Sequence, residues 1–274
     1  MLRCLPRSHR GRSRFWWWGL LREVEAADWA VAFDPSMSII PYRSGRPRVR
    51  RRTLTQAHVV SAALTLLDEV GMDGLTMRRL AGKLGVKAAS LYRHVRDKGE
   101  LLVLVGDEIS GQIPAVPDSG DWRSQLRQMA WNGRRGLLAH RDAARVLAAT
   151  PPFGPRRLRH IESLLRILRA AGLSGPDAVR ASYHCNNFVT EFVADEARVT
   201  AMVPASRGKR KAAFDEVRKH FKALPSDQYP TLVELADDMS EDDPDGLFRF
   251  GLEIWLRGLE TLAKGRAGRE GDNG

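Results

Sequence analysis

The chain reads as an all-α protein, and three observations lead there. Ala, Leu, Arg and Glu, all good helix formers, dominate the composition, and no alternating β-branched run suggests a strand. Apolar residues recur at i, i+3, i+4 and i+7 in successive segments, opened by Thr, Asp or Pro and closed by Gly or Pro. The 274 residues, 43% of them hydrophobic, can bury a sizeable core in one or two domains, yet no stretch approaches the roughly 20 apolar residues of a membrane span. Cys4 and Cys185 stand far apart without metal-ligand spacing, which disfavours a disulfide framework or a cysteine zinc site and fits a reducing cytoplasm.

The first periodic segment, Thr55 to Val70, puts Val60, Ala63, Leu64, Leu67 and Val70 on one face and stops at Gly71. Thr76 then offers its side-chain oxygen as an N-cap, Met77, Leu80, Ala81 and Leu84 form the next apolar face, and Gly85 accepts the left-handed conformation that closes many helices. A second short helix, about seven to nine residues long, is expected from Lys87, with Leu91 and Val95 inward. Lys87, Ala88, Ser90, Tyr92, Arg93 and His94 are left facing out. Short side chains, donors and cations on so small a helix suit close approach to base edges and phosphates in a major groove. Asp97-Lys98-Gly-Glu100 opens a longer helix, its acids placed where the helix dipole favours them, and Leu101, Leu102, Val105 and Ile109 carry it towards Pro114.

With these elements in place, the sequence resembles the tetracycline-repressor (TetR) family of bacterial transcription regulators. The likeness rests on Leu54-Thr-Gln, Ala62 to Gly71, Gly74-Leu-Thr, Leu80-Ala, Leu84-Gly-Val, Ser90-Leu-Tyr-Arg-His and Lys98, and spans 53–113 almost without gaps. It implies a helix-turn-helix DNA-binding domain over 53–113 with its motif at about 76–95. It also implies a C-terminal ligand-binding and dimerisation domain over 114–266. DNA contacts are expected from Thr76, Arg78, Lys87, Ser90, Tyr92, Arg93, His94 and Lys98: Arg78, Lys87 and Ser90 at base edges, Tyr92, His94 and Lys98 at phosphates. The implied partners are a near-palindromic double-stranded operator, a second copy of the chain and a small-molecule effector. No cofactor, metal or membrane is expected, and a bacterial cytoplasm with nucleoid association through DNA is the expected location.

The net charge of +11 is unevenly placed, with +8 in residues 1–52 and +3 in the remainder. Arg46-Pro-Arg-Val-Arg-Arg-Arg52 is positioned to add counterion-release affinity or to enter a minor groove, although the same run can be a solvated, disordered arm. Within it, Met1 to Ser36 reads as a mis-assigned start or a dispensable extension. Its apolar run, Phe15 to Leu21, is too short for export and lacks a cleavage site, and Met37 opens an ordinary family N-terminus.

Beyond Pro114, helices alternate with breakers. Asp118 to Asp121 caps a helix through Trp122, Leu126, Met129 and Gly133, and His140 to Leu147 forms a short one. Arg156 to Ala171 follows with Leu158, Ile161, Leu165 and Leu168 inward, then a long helix from Gly175-Pro176 through about Met202. Arg207 to Lys211 is expected to be a basic loop before a helix to Leu224, and Asp237 to Pro244 an acidic, unordered one. The last helix, Asp245 through Lys264, gathers Arg249, Glu253, Arg257 and Glu260 on one stripe and is apolar almost everywhere else. An apolar arc wider than about 100° must bury two sides, one against its own core and one against something more. The family resemblance supplies a two-fold partner, joined through a four-helix bundle with the helix from Pro176.

The C-terminal half also resembles the tetracycline-repressor branch, through Trp122, Ala139-His-Arg-Asp-Ala-Ala-Arg-Val146, Thr150-Pro151, Asp195-Glu196 and Phe250-Gly-Leu-Glu. Leu147 stands where that branch holds magnesium with a histidine, Met129 where it has an asparagine, and Ile113-Pro114 where it anchors the drug with a second histidine. The resemblance therefore implies the architecture and not the drug. Trp131, Leu147, Thr150, Tyr183, Phe188 and Phe192 are the candidate effector-binding residues, an apolar and aromatic set with few polar anchors. No glycine-rich phosphate loop, HExxH, GxSxG or Cys-His cluster supports an enzyme, so no catalytic residue is assigned. A ligand-responsive repressor accounts for the whole pattern; a DNA-binding protein without an effector is the alternative at this level.

Overall fold

A computed structural model describes residues 54–202 and 207–270, to which every structural statement here refers. The basic arm before the first helix and the Met1–Ser36 extension lie outside them. Eleven α-helices and no strand are present among the described residues: α1 Gln56–Gly74, α2 Met77–Leu84, α3 Ala88–Leu91, α4 Lys98–Gln112, α5 Trp122–Leu138, α6 Ala143–Ala148, α7 Pro155–Ala170, α8 Gly175–Met202, α9 Arg207–Lys222, α10 Pro230–Glu234 and α11 Pro244–Glu270.

Local signals set most boundaries. The Thr55 and Thr76 hydroxyls accept from His58 N and Arg79 N, each at 3.2 Å, and Asp97 caps α4 through Glu100 N at 2.7 Å. Gly85 closes α2 at φ 66°. Gly71, at φ 74°, breaks α1 where the sequence places its stop, and the chain then winds one more turn to Gly74. Leu67, Leu75, Leu80, Leu91 and Leu101 are wholly enclosed between α1, α2, α3 and α4, each contributing roughly 1.5–3 kcal/mol relative to exposure.

The second half layers α5, α7 and α8 around the C-terminal part of α4, with α11 against α5 and α8. Asp107 of α4 makes the central joint. Its Oδ1 accepts Arg156 N at 2.8 Å and Arg157 N at 2.9 Å, so α4 supplies the cap that Gly154 cannot offer to α7. A side chain at Gly154 would put Cβ 2.2 Å from Asp107 Oδ1, so only glycine lets the carboxylate in. This cap also sets the rotation of α7. Leu164, Ile167 and Leu168 face the core, whereas Leu158, expected inward, is exposed.

A buried cation joins the other three helices. Arg134 of α5 makes two 2.9 Å bonds to Glu196 of α8 and one of 2.6 Å to Asp245 of α11. Trp131, Phe192 and Phe248 surround its guanidinium at 5.1, 5.5 and 5.1 Å. The charged stripe of α11 has intramolecular partners too: Glu253 takes Arg127 Nε at 2.9 Å, and Glu260 pairs with Arg123.

Three sequence expectations are corrected. Helix α3 is only four residues long, because Lys87 makes no side-chain cap and the chain turns at Tyr92 to bring Val95 into the core. Arg207 to Lys211 is the first part of α9 rather than a loop. The acidic stretch is ordered, with a 3-10 turn at Asp238–Ser240 and ion pairs from Arg210 to Asp242 and from Lys222 to Asp237. Opposite charges far apart in sequence meet here, which neither segment's composition reveals alone. Replacing Asp107 by Ala, or Gly154 by Ala, should each destabilise the fold by at least about 2 kcal/mol by removing the same cap, as read from urea unfolding midpoints at constant slope.

Candidate nucleic-acid interface and effector cleft

The helix-turn-helix presents most of its expected contacts outward. Thr76, Arg78, Lys87, Tyr92 and Arg93 are exposed, Tyr92 by 53%, although its ring is large enough to be buried elsewhere in the core. Ser90 and His94 are half-buried at the same edge, where the His94 carbonyl takes Gln56 Nε2 at 3.1 Å. Lys98 is half-buried and spends one donor on the Met72 carbonyl at 3.1 Å, which fixes its ammonium at the start of α4. Arg79, exposed at the start of α2 and donating to the Gly74 carbonyl at 3.0 Å, shares this face without having been singled out from sequence.

A compact polar joint ties the end of α1 to the segment opening α6. His140 stands at its centre, Nδ1 lying 3.0 Å from Asp68 Oδ2 and Nε2 2.8 Å from Gln112 Oε1. Arg141 N donates to Asp68 at 3.0 Å, and Met72 N to Asp142 Oδ2 at 2.8 Å. Asp142 adopts φ 57°, a left-handed conformation that costs a non-glycine residue and here aims its carboxylate at α1. Arg145 hydrogen-bonds the exposed Asp73 at 3.1 Å, holding that carboxyl below the usual range.

The six expected effector residues do not converge on one site. Trp131, Phe188 and Phe192 pack on Phe248, with ring centres 4.8, 5.2 and 5.0 Å away, and the first and last of them also face Arg134. Leu147 and Thr150 are buried behind α7, where Arg157 bonds the Leu147 carbonyl at 2.6 Å and the Thr150 hydroxyl at 2.9 Å. Burial pushes the Arg157 guanidinium down to about 10, against the pull of Asp107, so it stays charged at neutral pH. Tyr183 lies on the outer side of α8, edge-on to His184. Aromatic content singled these residues out, but helix phase assigns them to core and surface.

A cleft lies elsewhere. About 410 Å³ in volume, it opens between the last turn of α4 with the following loop and the first half of α7. Ile113, Pro114 and Met129 border it, the positions where the resemblance lacks the branch's drug-anchoring groups, whereas Leu147 does not. Across from them stand Arg156, Arg159 and His160. Desolvation, and then the charge of Arg157, keep the His160 imidazole below its usual range and neutral at pH 7. Asn132 holds the far wall through its 3.0 Å bond to the Pro114 carbonyl. The one signal in the sequence was the Arg156-Arg-Leu-Arg-His160 cluster, which reads as an ordinary solvated helix start. Among the described residues, no cluster of His, Cys, Asp or Glu could hold a metal ion, and no helix is long and apolar enough to cross a membrane.

Comparison with known proteins places these features. Residues 59–105 match the family of bacterial regulatory proteins of the tetR type, and residues 113–263 match the tetracyclin repressor-like C-terminal domain. The chain belongs to the TetR family. A TetR family relative, the HTH-type transcriptional repressor DrrR1 of Streptomyces coeruleorubidus, is 34% identical over 236 residues, 83% of each chain. The class D tetracycline repressor protein of Escherichia coli is 36% identical across 76% of this chain and 90% of its own. Streptomyces coelicolor ActR, a TetR family protein solved in complex with actinorhodin, superposes with a TM-score of 0.68 at 36% identity, covering 76% of this chain and 96% of that one.

The α1 joint gives this TetR family member an exacting backbone position. A Cβ at Gly71 would lie 2.7 Å from Asp142 Oδ2 on a residue whose φ already disfavours side chains. Gly71→Ala should therefore lower stability by about 1–2 kcal/mol, measured as a fall in thermal midpoint, whereas Gly82→Ala, where a Cβ meets nothing, should not.

Proposed function

We propose that this TetR family regulator is a homodimeric repressor that leaves a near-palindromic operator when a small molecule occupies the α4–α7 cleft. Residues 53–113 read the DNA, and residues 114–266 bind the effector and the second copy. The observation that carries this reading is Gln112. Its side chain lines the cleft and hydrogen-bonds His140, which in turn holds Asp68 of α1. A ligand that moves the end of α4 disturbs that joint and biases the orientation of the reading helices. The relatives support the reading, since one is a transcriptional repressor and another has been solved with a small molecule bound. A cytoplasmic protein held on the nucleoid by DNA follows from the same role.

The outer face of α11 supports the dimer. Phe248, Leu252, Leu256 and Leu259 are buried in the protomer, while Leu247, Phe250 and Ile254 are 64, 66 and 58% exposed on the opposite side. Val179 and Tyr183 continue the exposed apolar surface on α8. Tyr183 thus fits the partner contact rather than the effector site.

Three measurements test the reading. Tyr92→Ala and Lys98→Ala should weaken binding to every DNA sequence, with the salt slope falling by about one for Lys98, whereas Arg78→Ala should cost about 1–3 kcal/mol only on the specific operator. Unchanged operator affinity in all three would remove the assignment. Phe250→Glu with Ile254→Glu should yield folded monomers by ultracentrifugation and abolish tight operator binding; a dimeric double variant contradicts the interface. His140→Ala should leave effector binding intact and weaken effector-driven DNA release about tenfold or more, the usual scale of a coupling between sites. Release as efficient as in the parent excludes this route.

A further inference from the structure

The lining of the cleft is electrically one-sided. Two guanidiniums, Arg156 and Arg159, border it, and its described lining contains no carboxylate. Arg156 is already committed, with Glu108 at 2.6 Å and Asp107 at 3.9 Å. Its aliphatic arm lies over Gly111, where a Cβ would come within 2.2 Å of Arg156 Cδ. Arg159 makes no ion pair or hydrogen bond with any described residue. Ser163 and the neutral His160 add hydroxyl and imidazole groups on the same helix. The opposite wall, Ile113, Pro114, Val116 and Met129, is apolar.

Each ligand class meets this arrangement differently. A cation meets the charge of Arg159 with no carboxylate in the described lining to offset it. A neutral apolar molecule covers the hydrocarbon wall but strips water from Arg159 without replacing it, a penalty the site would have to absorb. An apolar body carrying one anionic group satisfies both sides, because Arg presents a planar fork that matches a carboxylate. About 410 Å³ lies within the range of small-molecule pockets and has room for a few fused rings.

We propose that the cleft takes an apolar, ring-bearing organic acid, its anionic group on Arg159 and its hydrocarbon body against Ile113, Pro114 and Met129. This rests on reading the cleft as the effector site. It also revises the expectation of a site with few polar anchors. Arg159 sets the charge class of the ligand, and the loop after α4 sets its shape.

Matched probes test the assignment. 2-Naphthoic acid, its neutral amide and 2-naphthylmethylamine are titrated into the full-length protein by calorimetry. The acid should bind about tenfold more tightly than the amide, with the amine weakest. Arg159→Gln should erase the acid's advantage without changing the amide's affinity, and Arg159→Lys should restore part of it. Arg166→Gln, whose partner Asp118 lies outside the cleft lining, should leave the advantage intact. Equal affinities for acid and amide, an advantage that survives Arg159→Gln, or no binding by any probe overturns the proposal. DNA release separates this failure from that of the underlying reading. If neutral or cationic compounds free the protein from its operator and acids do not, the anion assignment falls and effector-released repression stands. If no compound of any charge does so, effector control itself falls.

Discussion

One carboxylate holds the two halves of this protein to a common axis. Asp107 sits in the third turn of α4 and accepts the first free amides of α7, so two helices that would otherwise only touch are locked in register. The bond is charge-assisted and shielded from water, with Arg157 and Arg156 as the surrounding countercharges. Gly154 makes it sterically possible, and Gly106 and Gly111 let α6 and α7 approach the same face of α4. Helix α4 is thereby held at a fixed register against α7.

The layout of the proposed effector site follows from α4. Lys98 at one end of α4 is fastened to α1 through the Met72 carbonyl, and Gln112 at the other lines the cleft. His140 closes the loop by bridging Gln112 to Asp68. The reading head and the cleft are therefore linked twice, once along α4 and once across His140. These are the two contacts through which the proposed effector control would couple the cleft to the helix-turn-helix.

Helix α11 illustrates how three chemical demands share one cylinder. Its core sector packs Phe248, Leu252, Leu256 and Leu259, and its acidic residues pair with arginines of α5. What is left is an apolar sector that no described residue covers. The unusually wide apolar arc visible in the sequence thus resolves into one side used within the protomer and one side available to a second copy. Of the charged stripe between them, Glu253 and Glu260 pair with Arg127 and Arg123 of α5, whereas Arg249 and Arg257 are exposed.

The sequence by itself determined the helical class, the capped boundaries of α1, α2, α4 and α5, and the helix-turn-helix. These depend on local rules: side-chain oxygens at Thr55, Thr76, Asp97 and Asp121, left-handed glycines at Gly71 and Gly85, and the period of apolar residues. Only the tertiary structure revealed the cleft proposed here as the effector site. The cleft is built from the end of one helix, a loop and the start of another, and its residues, Arg159 and His160 among them, have no pattern that separates them from an exposed helix start. Of the aromatic residues that drew attention instead, Trp131 and Phe192 surround a buried arginine whose partners lie 62 and 111 positions away, and Phe188 stacks on Phe248 beside them. Tyr183 lies on the outside because the phase of α8 is set by packing against α5 and α7. Caps and turns are satisfied within a few residues and can be read along the chain. A cavity is space left over after helices have packed, and its walls are known only when the packing is.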